Sequence, residues 1–181
     1  MNASEEKKNL LKLVYSAVCL ALCMVLPFLT GQIPEIGQAL SPMHIPVILC
    51  GFLCGGPWGL VVGYVAPLLR NMIFGMPPMF PSGLAMAFEL AVYGLMSGLL
   101  YKAFPKKVPF IYASLIIAMI SGRIVWGIVR MVMAGVTGTE FTFAAFIGGA
   151  ITSAIPGIIV QIVLIPILVM AMKKAKLILN N

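Results

Sequence analysis

Arg123, Trp126 and Arg130 carry the densest chemistry in the chain, because all three lie inside one apolar run, IYASLIIAMISGRIVWGIVRMVMAGV at residues 111–136. The run is long enough to cross a bilayer as a helix. A cation at membrane depth costs a few kcal/mol or more, and it usually faces a polar cavity or a partner. The arginines are seven positions apart, about two helical turns, so they share a face. Trp126, three residues after Arg123, lies near that face. Guanidinium groups hold carboxylates by charge-assisted, bidentate hydrogen bonds and stack on rings. The pattern therefore points to a pocket for a small anionic or aromatic solute.

Four more residues join this set. Glu89 and, one turn on, Tyr93 sit in an apolar segment, and Arg70 and Asn71 lie near the outer end of another. Two readings of Glu89 stay open: it neutralises Arg70 or Arg130 as a structural ion pair, or it positions a ligand. Arg130 can snorkel to outer headgroups, whereas Arg123 is too deep to do so and takes a ligand or a polar network. Tyr93 and Trp126 either pack as ordinary helix residues or stack against a ligand. One histidine, His44, and no aspartate argue against a zinc site or an acid–histidine catalytic set. No catalytic residue, metal or cofactor is expected. Cys19 and Cys23, like Cys50 and Cys54, are four apart; a pair of thiols falls short of a soft-metal site, and small apolar packing is the better reading.

The elements that position these groups follow from composition. With 181 residues, 61% hydrophobic and 9% charged, and a mean hydropathy of +1.08, the chain reads as an all-α polytopic membrane protein in one domain, residues 1–181. The formal net charge of +7 reports topology rather than nucleic-acid binding. Nine of the twelve Lys and Arg residues fall at Lys7, Lys8 and Lys12, at Lys102, Lys106 and Lys107, and at Lys173, Lys174 and Lys176. By the positive-inside rule all three groups are cytoplasmic, as are both termini. An even number of spans must then separate the first two groups. Counting the short segment 44–56 gives six spans, approximately 10–29, 44–56, 58–74, 83–104, 109–134 and 143–172. The last of them is interrupted by Pro156 and Pro166 and carries Gln161.

Residues 30–43, 75–82 and 135–142 are the expected outer loops. The first is apolar enough to fold over a cavity, and the second, rich in proline and methionine, suits a wall that repacks around a ligand. On this topology Arg70, Arg130 and Glu89 lie in the outer half and Arg123 near the middle. That distribution predicts a pocket open to the outside, not the two-sided polar path of a channel or proton relay.

Ala17-Val18-Cys19-Leu20-Ala21, LSPMHIPVILCGFLCGG (residues 40–56) and LLRNMIFGMPPMFP (residues 68–81) resemble segments of the S components of energy-coupling-factor (ECF) vitamin transporters. Length and topology resemble that family too, and the pantothenate-type branch is the most similar. The resemblance implies a high-affinity capture subunit without chemistry of its own, in the cell membrane of a bacterium. Its partners would be a small-molecule vitamin, a transmembrane T subunit and two cytosolic ATPases. Ala17 and Ala21 match the motif by which the family's first helix docks on the T subunit. Substrate binding is implied for the loop at residues 32–43, Glu89, Tyr93, Trp126 and Arg130. Pantothenate is the first candidate, with folate, riboflavin, biotin and a pyridoxine-like compound behind it. The competing expectations are a stand-alone secondary carrier or channel for a small organic anion and, less well supported, an intramembrane enzyme using His44 or Glu89.

Overall fold

A computed structural model describes residues 3–30, 40–140, 142–150 and 154–180, and among these the chain forms helices and no strand. The α-helices are α1 (Ala3–Val25), α2 (His44–Cys54), α3 (Gly56–Phe74), α4 (Leu84–Ala103), α5 (Val108–Thr137), α6 (Phe143–Ala150) and α7 (Ile155–Lys174). Most of the expected outer loop at residues 32–43 lies outside the described residues, as does residue 141 in the third.

Helix α1 begins well before its apolar stretch because Glu5 and Glu6 occupy the first turn, where negative charge complements the helix dipole. It gives way to a 3-10 turn, Leu26–Thr30, around Pro27, which has no N–H to extend the ladder. A single residue, Gly55 at φ 103°, separates α2 from α3, and Pro57 occupies the first turn of α3, where its missing donor costs nothing. Gly75, in the left-handed region at φ 72°, ends α3 by donating to the Asn71 carbonyl. One wide turn, Met79–Gly83, leads into α4. Residues 143–172, read from the sequence as one long span, comprise two helices, α6 and α7, with residues 151–153 outside the described set. Pro156 falls in the first turn of α7, and Pro166 lies within that helix without ending it.

Four stretches are long and apolar enough to cross a membrane: Ala3–Leu29, Met79–Ala103, Val108–Thr137 and Ile155–Lys174. Their outer faces expose apolar side chains in rows, including Val14 and Val18 on α1, Ile120, Ile124 and Ile128 on α5, and Ile159, Val163 and Ile167 on α7. Such contiguous exposed surface belongs in lipid. Helix α2 is the opposite case. It is short, and every residue but Ile45 is buried, enclosed by α1, α3, α4 and α7.

Helix α4 is the hub, packed against α2, α3 and α5. Glycines set how closely these neighbours approach. Gly59 of α3 faces Gly94 of α4, Gly63 faces the Leu90 carbonyl, and Gly51 of α2 meets Gly94 and Ser97; a methyl group at any of them would collide with the opposing helix. Without a hydrophobic drive between helices in lipid, this backbone proximity and its van der Waals contact hold the bundle. Gly122 of α5 lies in the same way against the Tyr93 ring. That contact fixes α5 on α4 and brings residue 123 beside residue 89.

Candidate functional site

Glu89 is the centre of a buried polar node. It is 2% exposed, and its Oε1 lies 2.9 Å from Arg123 Nη1, accepts a hydrogen bond from the Tyr93 hydroxyl at 3.0 Å, and sits 3.6 Å from His44 Nε2. Three helices converge here: α4 supplies Glu89 and Tyr93 one turn apart, α5 supplies Arg123, and the first residue of α2 supplies His44. The His44 and Tyr93 rings are also in contact, with centroids 5.3 Å apart. An uncompensated carboxylate at this depth would be very costly, so the guanidinium and phenol are what permit it. The sequence offers Arg70 or Arg130 as the counter-charge of Glu89; the structure pairs Glu89 with Arg123 instead. The Gly122–Tyr93 contact is the reason, because it sets the register of α5 against α4.

His44 is 3% exposed, yet neither ring nitrogen makes a hydrogen bond among the described residues. Buried polar groups are nearly always hydrogen-bonded, and each exception calls for an explanation. The sequence alone gives His44 no role in binding. It stands 45 positions from Glu89, and only the packing of α2 on α4 brings the two together.

Arg130 and Trp126 form a second group, about 10 Å further along α5 from Arg123 by helical rise. The Arg130 guanidinium carbon lies 5.9 Å from the Trp126 ring centroid. Trp126 leans on Phe146 of α6, and the two helices close over Gly127 and Gly149, which face Phe146 and Trp126 respectively. A half-open pocket beside Arg130 is bounded by Phe80 and Pro81 of the wide turn, Met133 and Thr137 of α5, and Glu140. Of the segment 75–82, Phe80 and Pro81 line this pocket.

Arg70 and Asn71 are not brought to either group. Arg70, 3% exposed, donates from Nη1 to the Met24 carbonyl at 2.5 Å, and its guanidinium carbon lies 5.2 Å and 5.1 Å from the Phe28 and Phe74 ring centroids. It ties the end of α1 to the end of α3. Asn71 donates from Nδ2 to the Pro77 carbonyl at 2.8 Å, bracing the turn after α3.

The four cysteines are all buried as free thiols at the α1–α2 contact: Cys50 donates to Ser16 Oγ at 3.5 Å, and Cys23 to the Met43 carbonyl at 3.6 Å. Among the described residues no group of three or more potential ligands is arranged to hold a metal ion. Ser16, Cys19 and Cys23 form the inner face of α1, which leaves Ala17 and Ala21 exposed on its outer face.

Neither a curated protein nor a solved structure matches the chain. Residues 11–169 match the family model described as ECF transporter, substrate-specific component. The match spans the Glu89 node, the Arg130 pocket and the apolar helices of a multi-pass membrane protein, and it is to a family of transporter components rather than of enzymes. The chain belongs to the ECF transporter substrate-specific component family.

Proposed function

We propose that this chain is the capture subunit of an ECF-type importer in a bacterial cell membrane, and that its substrate is a water-soluble vitamin bearing a carboxylate, pantothenate before folate or biotin; riboflavin and a pyridoxine-like compound, which lack a carboxylate, rank behind them. The observation that carries this reading is the division of labour along α5. Arg123 is matched by Glu89, so the node as a whole offers hydrogen bonds rather than net charge, and His44 brings two ring nitrogens without a hydrogen bond to the described residues. Arg130 lines the half-open pocket. A ligand with a carboxylate at one end and hydroxyl or amide groups at the other, on a scale of about 10 Å, would suit both. Arg130 takes the carboxylate in this reading, Trp126 and Phe80 flank the chain, and Arg123, Tyr93, Glu89 and His44 receive the polar end.

Six crossings with both termini cytoplasmic fit this role, the α6–α7 pair counting as one. In support, Lys106 of the α4–α5 loop and Lys173 at the end of α7 lie together, Lys173 Nζ donating to the Lys106 carbonyl at 2.5 Å; basic residues at one end are the signature of the inner face. Ala17 and Ala21, exposed on α1, supply the small-residue stripe on which a T subunit can pack closely, with two ATPases completing the transporter. Family membership does not favour the stand-alone carrier.

The test is thermal unfolding of the purified protein against a vitamin panel. Pantothenate at 100 times its dissociation constant adds about 2.7 kcal/mol to stability, and a non-ligand adds nothing. Stabilisation by a cationic vitamin such as thiamine, with none by any carboxylate, would contradict the anionic reading.

A further inference from the structure

The far end of α4, about 18 Å from Glu89 by helical rise, carries a second polar site that substrate capture does not use. Tyr101 of α4, Lys106, Lys173, Lys176 and Ile178 line one pocket. The Lys106 ammonium lies 4.0 Å from the Tyr101 ring centroid and donates to the Tyr101 carbonyl. Lys173 donates to the Lys106 carbonyl, which draws α7 onto the α4–α5 loop. Lys176, at φ 58°, turns the chain back. The segment after it is anchored by Leu179 N–H to the Leu53 carbonyl at 2.8 Å and Asn180 Nδ2 to the Gly98 carbonyl at 2.9 Å. The pocket thus has a fixed back wall.

Among the described residues, three lysines converge here without a carboxylate beside them. The Lys or Arg to carboxylate pair among the described residues is Arg123–Glu89, and no described carboxylate meets Lys106, Lys173 or Lys176. Burial, with the neighbouring Lys173 and Lys102 ammonium groups, pulls Lys106 below the ordinary lysine value. An ammonium has three N–H donors. Lys106 and Lys173 each place one on a protein carbonyl, and Lys176 places none on a described residue. The remaining donors and the unbalanced charge call for an anion with several oxygens.

We propose that this pocket holds the phosphate group of an anionic membrane phospholipid, gripped by Lys106, Lys173 and Lys176 with Tyr101 and Ile178 beside its glycerol and first methylenes. A lipid fits better than free phosphate because the pocket opens at the ends of membrane helices. Leu99 of α4, two residues before Tyr101, and Leu177, beside Lys176 and Ile178 in the chain, expose apolar surface, and an inorganic ion has no use for the Ile178 wall. Basic pockets between helices at the inner face are a recurrent way of holding anionic headgroups.

The full chain, purified in a non-ionic detergent, is titrated with short-chain phosphatidylglycerol, short-chain phosphatidylcholine and inorganic phosphate at equal concentrations, with unfolding temperature as the readout. Phosphatidylglycerol raises it; the other two do not. Lys106→Gln, Lys173→Gln and Lys176→Gln each weaken the phosphatidylglycerol effect about fivefold, whereas Lys7→Gln, the same charge change outside the pocket, leaves it unchanged. Lys176→Gln guards against misfolding, because its ammonium makes no hydrogen bond to the described protein. Equal stabilisation by phosphatidylcholine or by inorganic phosphate overturns the proposal. So does equal weakening by Lys7→Gln and Lys176→Gln.

Discussion

Arg70 and Arg123 are both arginines in apolar helices, and the structure treats them in opposite ways. Arg70 is caged: one carbonyl accepts its hydrogen bond and two phenyl rings flank its guanidinium. These partners belong to the end of α1, the 3-10 turn that follows it and the end of α3, so Arg70 fastens those ends together. Arg123 faces a buried carboxylate that also meets a phenol and an imidazole, and it is itself partly exposed. A cation can thus be accommodated at depth by the soft, neutral surfaces of rings and a carbonyl, or by a matched charge. The first solution is complete. The second leaves His44 with buried nitrogens that make no hydrogen bond to a described residue, and incompleteness of that kind is what a ligand can relieve.

The sharpest way to break this contrast is to remove the matched charge. Glu89→Gln strands Arg123 in a low-dielectric site, and loss of one member of a buried pair costs about 3–5 kcal/mol. The expected outcome is a variant with a much lower unfolding temperature in detergent, and Arg123→Met in the same chain should recover much of the loss. Unchanged stability of Glu89→Gln would mean that the pair carries no weight.

Arg70→Ala should destabilise by about 2 kcal/mol, the worth of a charged hydrogen bond and its ring contacts, and leave substrate affinity within twofold of the parent. Calorimetry on the folded fraction checks this. A large loss of affinity would show that the cage is part of the pocket.

A smaller effect tests how the node is assembled. Gly122→Ala places a methyl group against the Tyr93 ring, and overpacking of this kind costs about 1–3 kcal/mol. Because the same contact sets the register of Arg123, the variant should lose affinity together with stability. Gly135→Ala, on the same helix with open space around it, is the control and should do neither.

Parts of this arrangement were legible in the sequence for a clear reason. Charge in an apolar run is conspicuous, so Arg70, Glu89, Arg123 and Arg130 stand out without any structure, and seven-residue spacing places the last two on one face. Pairing between helices was not legible in the same way. Which arginine meets Glu89 depends on the register of α5 against α4, and that register depends on Gly122 meeting Tyr93, a contact between residues that nothing local links. Arg70 looked like Arg123 because burial and charge were the visible features, and the rings of Phe28 and Phe74 that enclose it come from two different elements. His44 reads from the sequence as a lone histidine without a partner, because its 45-position distance from Glu89 hides their proximity. The sequence does carry a signal of this packing: Gly55, Gly59 and Gly63, and Gly94 and Gly98, repeat at four-residue intervals, the spacing that lets α3 and α4 pack at backbone distance.

The central claim is that Arg130 holds the carboxylate of the substrate while Arg70 only holds helices, and calorimetric titration of pantothenate into folded Arg130→Ala and Arg70→Ala proteins tests it most directly. Losing a buried charged contact costs about 2–5 kcal/mol, roughly 30-fold or more in affinity, so Arg130→Ala should bind at least 30-fold more weakly. Arg130→Lys should fall between it and the parent, because lysine keeps the charge but not the planar fork. Arg70→Ala should bind like the parent. Equal affinities in Arg130→Ala and the parent, or a greater loss in Arg70→Ala, would contradict the account.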